Sequence, residues 1–191
     1  MPVRVVIAED EWLLATQLCI DVESHGYQVV GTAKTGTEAV EMCWAARPDV
    51  VLMDIRMPEL DGIEATRRVM QARPTAIAMV TGDARLRGTA REAGAMGFAT
   101  KPLMAGQIPW LVADSRERFA CFMAISQGAA DLRAALDAWL PAQEAAELLM
   151  AAEAASWKDA FQKLQQTASD RGAALSDVAR EVVTTSRSHR A

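Results

Sequence analysis

Five short apolar runs, each followed by a stretch with helical spacing, occupy the first hundred residues and constrain the fold more than any other feature of the chain. The runs fall at positions 3–8, 28–31, 50–53, 76–80 and, more weakly, 96–99. Between them Trp12, Leu13, Thr16, Leu18 and Ile20, then Ala39, Val40, Cys43 and Trp44, recur at helical intervals. The runs are apolar throughout and do not alternate with polar residues, so strands made from them need cover on both faces. Strands separated by helix-length segments form βα units and a parallel sheet. The expected fold is α/β, a five-stranded, doubly wound parallel sheet.

Beyond about residue 104 the strand signal ends. The segment 107–140 contains one proline, Pro109, where the first turn of a helix tolerates it. Positions 108, 111, 115, 118, 122, 125, 129, 132, 136 and 139 follow alternating steps of three and four, and most are apolar. That spacing predicts one long linking helix over 107–140. Its seam serves either a coiled coil or packing within its own domain. Pro141 is expected to interrupt it, with three shorter helices at 142–154, 156–168 and 174–186. Ser156 with Asp159 reads as a capping box, and Gly172 marks the turn at 169–173. The expected division is thus 1–113, an α/β domain, then the linking helix, then a small all-α bundle over 141–191.

The chain has 191 residues, 51% of them hydrophobic, enough to bury a core without disulfides. Three scattered cysteines, Cys19, Cys43 and Cys121, make neither a disulfide framework nor a zinc site. A net charge of −5 exerts no general pull on nucleic acid or anionic membrane, although a local basic patch survives such an average. No uncharged stretch exceeds the 12 residues of 119–130, which is too short to span a bilayer. Glu9 and Asp10 come too early for a secretory signal. A cytoplasmic protein without membrane partners is expected.

In an open parallel sheet, ligands bind beyond the carboxyl ends of the strands. Here those ends carry Glu9 and Asp10 after the first strand, Asp54 after the third, Thr81 after the fourth, and Lys101 with Pro102 after the fifth. Crowded carboxylates need a cation, and hard oxygen ligands suit Mg²⁺. Asp54 is then placed to act as a nucleophile toward a phosphoryl group. Lys101 would neutralise charge on that group while Thr81 donates a hydrogen bond to it.

This set resembles the receiver domain of two-component response regulators, over residue 2 to about 113. The resemblance rests on Glu9-Asp10, on the segment VVLMDIRMPELDG with Asp54, Met57, Pro58 and Gly62, on Thr81, and on GFATKP with Lys101-Pro102. It implies phosphoryl transfer to Asp54 from a histidine kinase or phosphotransfer protein, with Glu9, Asp10, Asp54 and the Arg56 backbone carbonyl holding Mg²⁺. The resemblance implies a phosphoacceptor regulator, not an enzyme, one that takes the phosphoryl group and can dephosphorylate itself. The resemblance also implies Thr81 and Phe98 as the switch pair; Phe98, three positions before Lys101 where the family often has a tyrosine, can change packing but has no hydroxyl to hydrogen-bond.

The C-terminal string AELLMAAEAASWKDAFQKLQQTASDRGAALSDVAREVV resembles the ANTAR output domain, a three-helix module that binds paired RNA stem-loops and relieves transcription termination. The matching residues are Ala145, Leu148-Leu149-Met150, Ser156, Ala160-Phe161, Leu164, Ala168, Leu175, Asp177-Val178-Ala179 and Val182-Val183. Just before the Leu-Leu-Met run, where the family carries basic residues and a Lys-Gly pair, this chain has Trp139 through Glu147 with glutamates at 144 and 147. Residues 114–191 hold nine basic and eleven acidic side chains, a net of −2. RNA affinity draws heavily on Lys and Arg at phosphates. The candidates left for RNA are Trp157, as a stacking platform, with Lys158, Lys163, Arg171 and Arg180, and further out Arg187 and Arg190.

Two readings follow. In one, phosphorylation of Asp54 drives homodimerisation through the long helix, and paired output modules grip RNA. In the other, the output fold has lost RNA affinity and serves protein interaction or dimerisation, a reading favoured if Trp139 and Leu140 lie exposed. DNA binding lacks a basic recognition helix, and an enzymatic output lacks a nucleophile, metal site or cofactor loop after residue 103.

Overall fold

The computed structural model describes residues 1–104, 106–127 and 131–188. They fall into two compact units, Met1–Ala120 and Cys121–Ala191. In the first, β1 (Arg4–Ala8), α1 (Trp12–Ser24), β2 (Gln28–Ala33), α2 (Gly36–Ala46), β3 (Val50–Met53), α3 (Gly62–Ala72), β4 (Ala76–Thr81), α4 (Arg87–Glu92) and β5 (Gly97–Thr100) alternate, and α5 (Gln107–Ser126) follows. A single turn of 3₁₀ helix, Ala84–Leu86, precedes α4.

All five strands are parallel, in the order β2-β1-β3-β4-β5. This is the expected doubly wound sheet, and its side chains explain why the strands read as unbroken apolar runs. On β1, Val6 and Ala8 face a core shared with Ala39 and Cys43 of α2 and Ile63 and Val69 of α3. Val5 and Ile7 face the opposite core, with Leu18 and Val22 of α1 and Ile108 and Leu111 of α5. Period-two alternation therefore carries apolar residues to both faces.

The turn from β3 into α3, beneath the sheet's carboxyl edge, depends on glycine. Gly62 opens α3 after the N-cap Asp61, whose carboxylate accepts from the Glu64 amide at 2.8 Å. A Cβ at Gly62 would stand 1.9 Å from the Asp54 carbonyl oxygen. Gly62→Ala is therefore expected to cost about 3 kcal/mol or more, because backbone and not a flexible side chain must yield. A urea midpoint within error of wild type would show that the β3–α3 loop gives way freely.

In the second unit α6 (Leu132–Glu153), α7 (Trp157–Arg171) and α8 (Leu175–Ser188) form an all-helical bundle. Ser156 caps α7 as expected, its hydroxyl accepting from the Asp159 amide at 3.2 Å. The helix runs through Arg171, three residues past the expected end at 168, before Gly172 closes it in the left-handed region at φ 59°.

The single helix expected over 107–140 is replaced by α5 and α6. Residues 128–130, and with them Ala129 of the seam, lie outside the described residues. Asp131 then caps α6, its side chain accepting from the Ala134 amide at 2.9 Å. Nor does Pro141 interrupt a helix: it sits inside α6. A mid-helix proline costs about 3 kcal/mol, but Trp139, Ala142, Ala145 and Ala146 around it are all buried, and that packing keeps the helix running. The seam itself is spent on burial. Ile108, Leu111, Ser115, Arg118, Phe122, Leu136 and Trp139 are enclosed, while Ile125 and Leu132 are half-buried.

Candidate functional site

The sheet order places β1 beside β3, while the chain leaves β1 toward β2, so the crevice at the carboxyl ends of β1 and β3 is the topological switch point. Ladder hydrogen bonds hold the residues that follow. The Glu9 amide donates to the Ala33 carbonyl at 2.9 Å, and the Asp54 amide donates to the Ala8 carbonyl at 2.8 Å. The Lys101 amide donates to the Thr81 carbonyl at 2.9 Å, and the Lys101–Pro102 peptide is cis.

Glu9, Asp10 and Asp54 each bring a carboxylate oxygen to within 4.8 Å of the others. Glu9 is only 2% exposed and Asp54 is also buried, while Asp10 stands in solvent. Lys101 reaches back over the pair, donating to a Glu9 oxygen and lying 3.1 Å from Asp54 Oδ2. The other Asp54 oxygen, Oδ1, accepts from the Ile55 amide at 2.7 Å. Thr81 is buried at the end of β4.

Burial pushes the Glu9 carboxyl above its ordinary range, and the nearby Asp54 adds to the rise; Lys101 offsets it only in part. For Lys101, burial works against the charge, but the hydrogen bond to Glu9 and the Asp54 and Glu9 carboxylates outweigh it and hold the ammonium cationic. One cation among three carboxylates leaves a net negative site with oxygen donors only, a donor set that matches a small hard divalent ion.

The structure thus brings together Glu9, Asp10, Asp54, Thr81 and Lys101. Arg56 sits two residues past Asp54 with its side chain directed to Asp83, 3.4 Å away. Phe98 is half-buried on β5, with the Arg87 guanidinium 4.9 Å over its ring. Sequence reasoning missed Asp83 and Arg85, which join Asp54, Arg56, Thr81 and Gly82 around a cavity of about 410 Å³. Two hydrogen bonds from Arg85 pull the Asp83 carboxyl down to about 2. Their position, just past the end of β4, was the available signal.

Among the RNA candidates, Trp157 is the one the structure corrects. It is 3% exposed and stacks on Phe161 at 5.8 Å, so neither indole face is open to a base. The cations are exposed, but most are engaged: Lys163 with Glu153 at 2.6 Å, Arg171 with Glu181 at 2.7 Å, Arg180 with Asp177 at 3.0 Å and Arg187 with Glu144 at 2.7 Å. Lys158 is exposed on the first turn of α7. Arg190 lies outside the described residues. Trp139 is fully buried, which removes the exposed Trp139-Leu140 pair that would have favoured a protein-docking output.

A doubly wound parallel sheet with an acidic trio and a lysine at its switch point is the architecture of a signalling receiver. Residues 5–112 match the response regulator receiver domain family, and the chain belongs to it. The transcriptional regulatory protein PdtaR of Mycobacterium tuberculosis is 34% identical over 187 residues, 97% of this chain and 91% of that protein. Protein-glutamate methylesterase/protein-glutamine glutaminase 4 of Myxococcus xanthus is 40% identical over 121 residues, 60% of this chain but 34% of that protein. Its likeness therefore spans about a third of that enzyme. The response regulator domain of Thermotoga maritima CheB superposes with a TM-score of 0.54 at 32% identity, covering 65% of this chain and 98% of that one. A chain of the CheX–CheY–BeF₃–Mg²⁺ complex from Borrelia burgdorferi gives a TM-score of 0.56 at 29% identity, covering 59% and 87%. Among the described residues no helix is long and apolar enough to cross a membrane.

Proposed function

We propose that this response regulator takes a phosphoryl group on Asp54 from a histidine kinase or phosphotransfer protein, and that residues 141–191 respond by binding RNA stem-loops and relieving transcription termination. The observation that carries the first half is Lys101 bridging Glu9 and Asp54 within the acidic trio. An Asp54 carboxylate oxygen attacks the phosphorus, the bond from phosphorus to the donor nitrogen breaks, and the imidazole leaves with its electron pair and is protonated. Lys101 offsets charge on the transferred group, and the Thr81 hydroxyl donates to one of its oxygens. Mg²⁺ fits the donors of Glu9, Asp10, Asp54 and the Arg56 carbonyl, and when bound it neutralises phosphoryl charge.

The likeness to PdtaR over 97% of the chain, named as a transcriptional regulator, supports a gene-regulatory output. The ANTAR resemblance of the C-terminal string supports RNA as the target. Against it, four of the candidate cations already hold carboxylate partners, and this favours the second reading, an output that binds protein in place of RNA.

Crosslinked RNA recovered from cells, repeated in vitro across salt concentrations, separates the two. Hairpin leaders should be enriched and their binding should weaken steeply with salt. No RNA above background from a phosphorylated protein would rule out the RNA-binding output. For Lys101→Ala, labelling by acetyl phosphate in Mg²⁺ is expected to slow by about 10²-fold, with Mg²⁺ binding retained and EDTA abolishing what labelling remains. Wild-type labelling kinetics in that variant would remove Lys101 from the reaction.

A further inference from the structure

Lys163, Thr167 and Arg171 recur every fourth residue on α7 and share one face, with the two cations about 12 Å apart along the axis. That face and α8 enclose a groove of about 240 Å³ with an apolar floor of Leu164, Val178 and Val182. Both cations on its rim are held by carboxylates ten residues away in sequence: Lys163 by Glu153 and Arg171 by Glu181, the latter itself lining the groove. All four side chains are about half exposed, so water competes for each pair and neither pair contributes much to stability.

We propose that this α7–α8 groove receives an RNA backbone and that Glu153 and Glu181 are internal stand-ins for phosphate, occupying Lys163 and Arg171 until RNA displaces them. The inference rests on the RNA-binding reading above. A carboxylate and a phosphodiester offer the same anionic oxygen acceptors to the same N–H donors. The two cations are spaced along the groove so that a strand lying in it can engage both. After displacement each glutamate remains near the phosphates and repels them. The stand-ins therefore lower affinity twice, by competing for the cation and by opposing the bound anion. The exposed Arg133–Asp137 pair on α6 does not line the groove and serves as an internal comparison.

The test uses the full chain, phosphorylated with acetyl phosphate, and fluorescein-labelled tandem stem-loop RNA with randomised loops, read by anisotropy across salt. Glu153→Gln with Glu181→Gln should tighten binding about three- to tenfold. Lys163→Gln with Arg171→Gln should weaken it about tenfold or more and reduce the log–log salt slope by roughly 1.5 to 2. Arg133→Gln should change neither. If wild type binds RNA but the glutamine pair at 153 and 181 binds no tighter, the stand-in role is overturned while the RNA reading survives. If the pair at 163 and 171 binds as wild type, the groove is the wrong surface. If wild type does not bind but the 153/181 variant does, the stand-in role is supported in its strongest form. If neither binds, both readings fail. Tighter binding of poly-glutamate than of RNA would assign the groove to an acidic protein and overturn the proposal.

Discussion

Asp54→Asn should incorporate no phosphoryl label from acetyl phosphate or a cognate kinase while melting within a few degrees of wild type. An amide has no anionic oxygen to attack phosphorus, so the loss is complete and not graded. The fold should tolerate the change because asparagine is isosteric and its carbonyl oxygen can keep accepting from the Ile55 amide, now 2.7 Å from Asp54 Oδ1. What disappears is the ion pair to Lys101 at 3.1 Å. Removing a carboxylate from beside Glu9 also relieves the repulsion that helps to raise the Glu9 carboxyl. Stability should therefore be unchanged or slightly higher, as expected where a site holds more negative charge than its lone lysine balances. Phosphotransfer to the variant at wild-type rate, with intact-mass confirmation of one phosphoryl group, would move the acceptor to another residue. Loss of label together with collapse of the melting transition would instead mean that Asp54 is structural.

Trp139→Ala should destabilise the C-terminal unit by about 3–5 kcal/mol, the range for deleting a large buried aromatic side chain. Trp139 is fully buried, with Phe122 edge-on at 5.9 Å, Trp157 at 5.8 Å and Phe161 at 5.9 Å. These four rings come from α5, α6 and α7, so truncating the central one unpins three helices at once. Denaturant unfolding followed by tryptophan fluorescence and by far-ultraviolet circular dichroism should split into two transitions, the earlier belonging to the helical unit. Labelling of Asp54 should persist through the first of them. Trp139→Phe should lose distinctly less stability than Trp139→Ala, because it retains one ring and creates a smaller cavity. A loss under about 1 kcal/mol for the alanine variant would show that the ring cluster is not the core of this unit.

The receiver half was legible in the sequence because its information is local. Each strand is four to six residues long, those of β1, β3 and β4 almost wholly buried, and a parallel sheet delivers whatever follows each strand to the same rim. Glu9, Asp54, Thr81 and Lys101 could thus be grouped from chain position alone. The same logic failed to pick out Asp83 and Arg85, since it says nothing about how a loop folds back once the strand has ended. In the helical half, periodicity located apolar faces but not what they pack against. The seam residues Phe122 and Trp139 read as serving either a coiled coil or their own domain, and they meet each other. Trp157 read as a base-stacking platform, yet it is the ring stacked on Phe161.

The sequence alone thus determined the five-stranded α/β architecture, the acidic rim with its lysine, and the Ser156 cap that opens α7. Each of these follows from contacts or conformations within a few residues, or from a topology that repetition makes unambiguous. Only the tertiary structure decided that α5 and α6 are separate helices, that α6 runs through Pro141, and that Lys163 and Arg171 stand paired with Glu153 and Glu181. Those outcomes depend on free energies summed over helix–helix packing, where the burial of Trp139, Ala142, Ala145 and Ala146 outweighs a proline's local cost, and where ion pairs form between side chains ten residues apart because two helices happen to meet there.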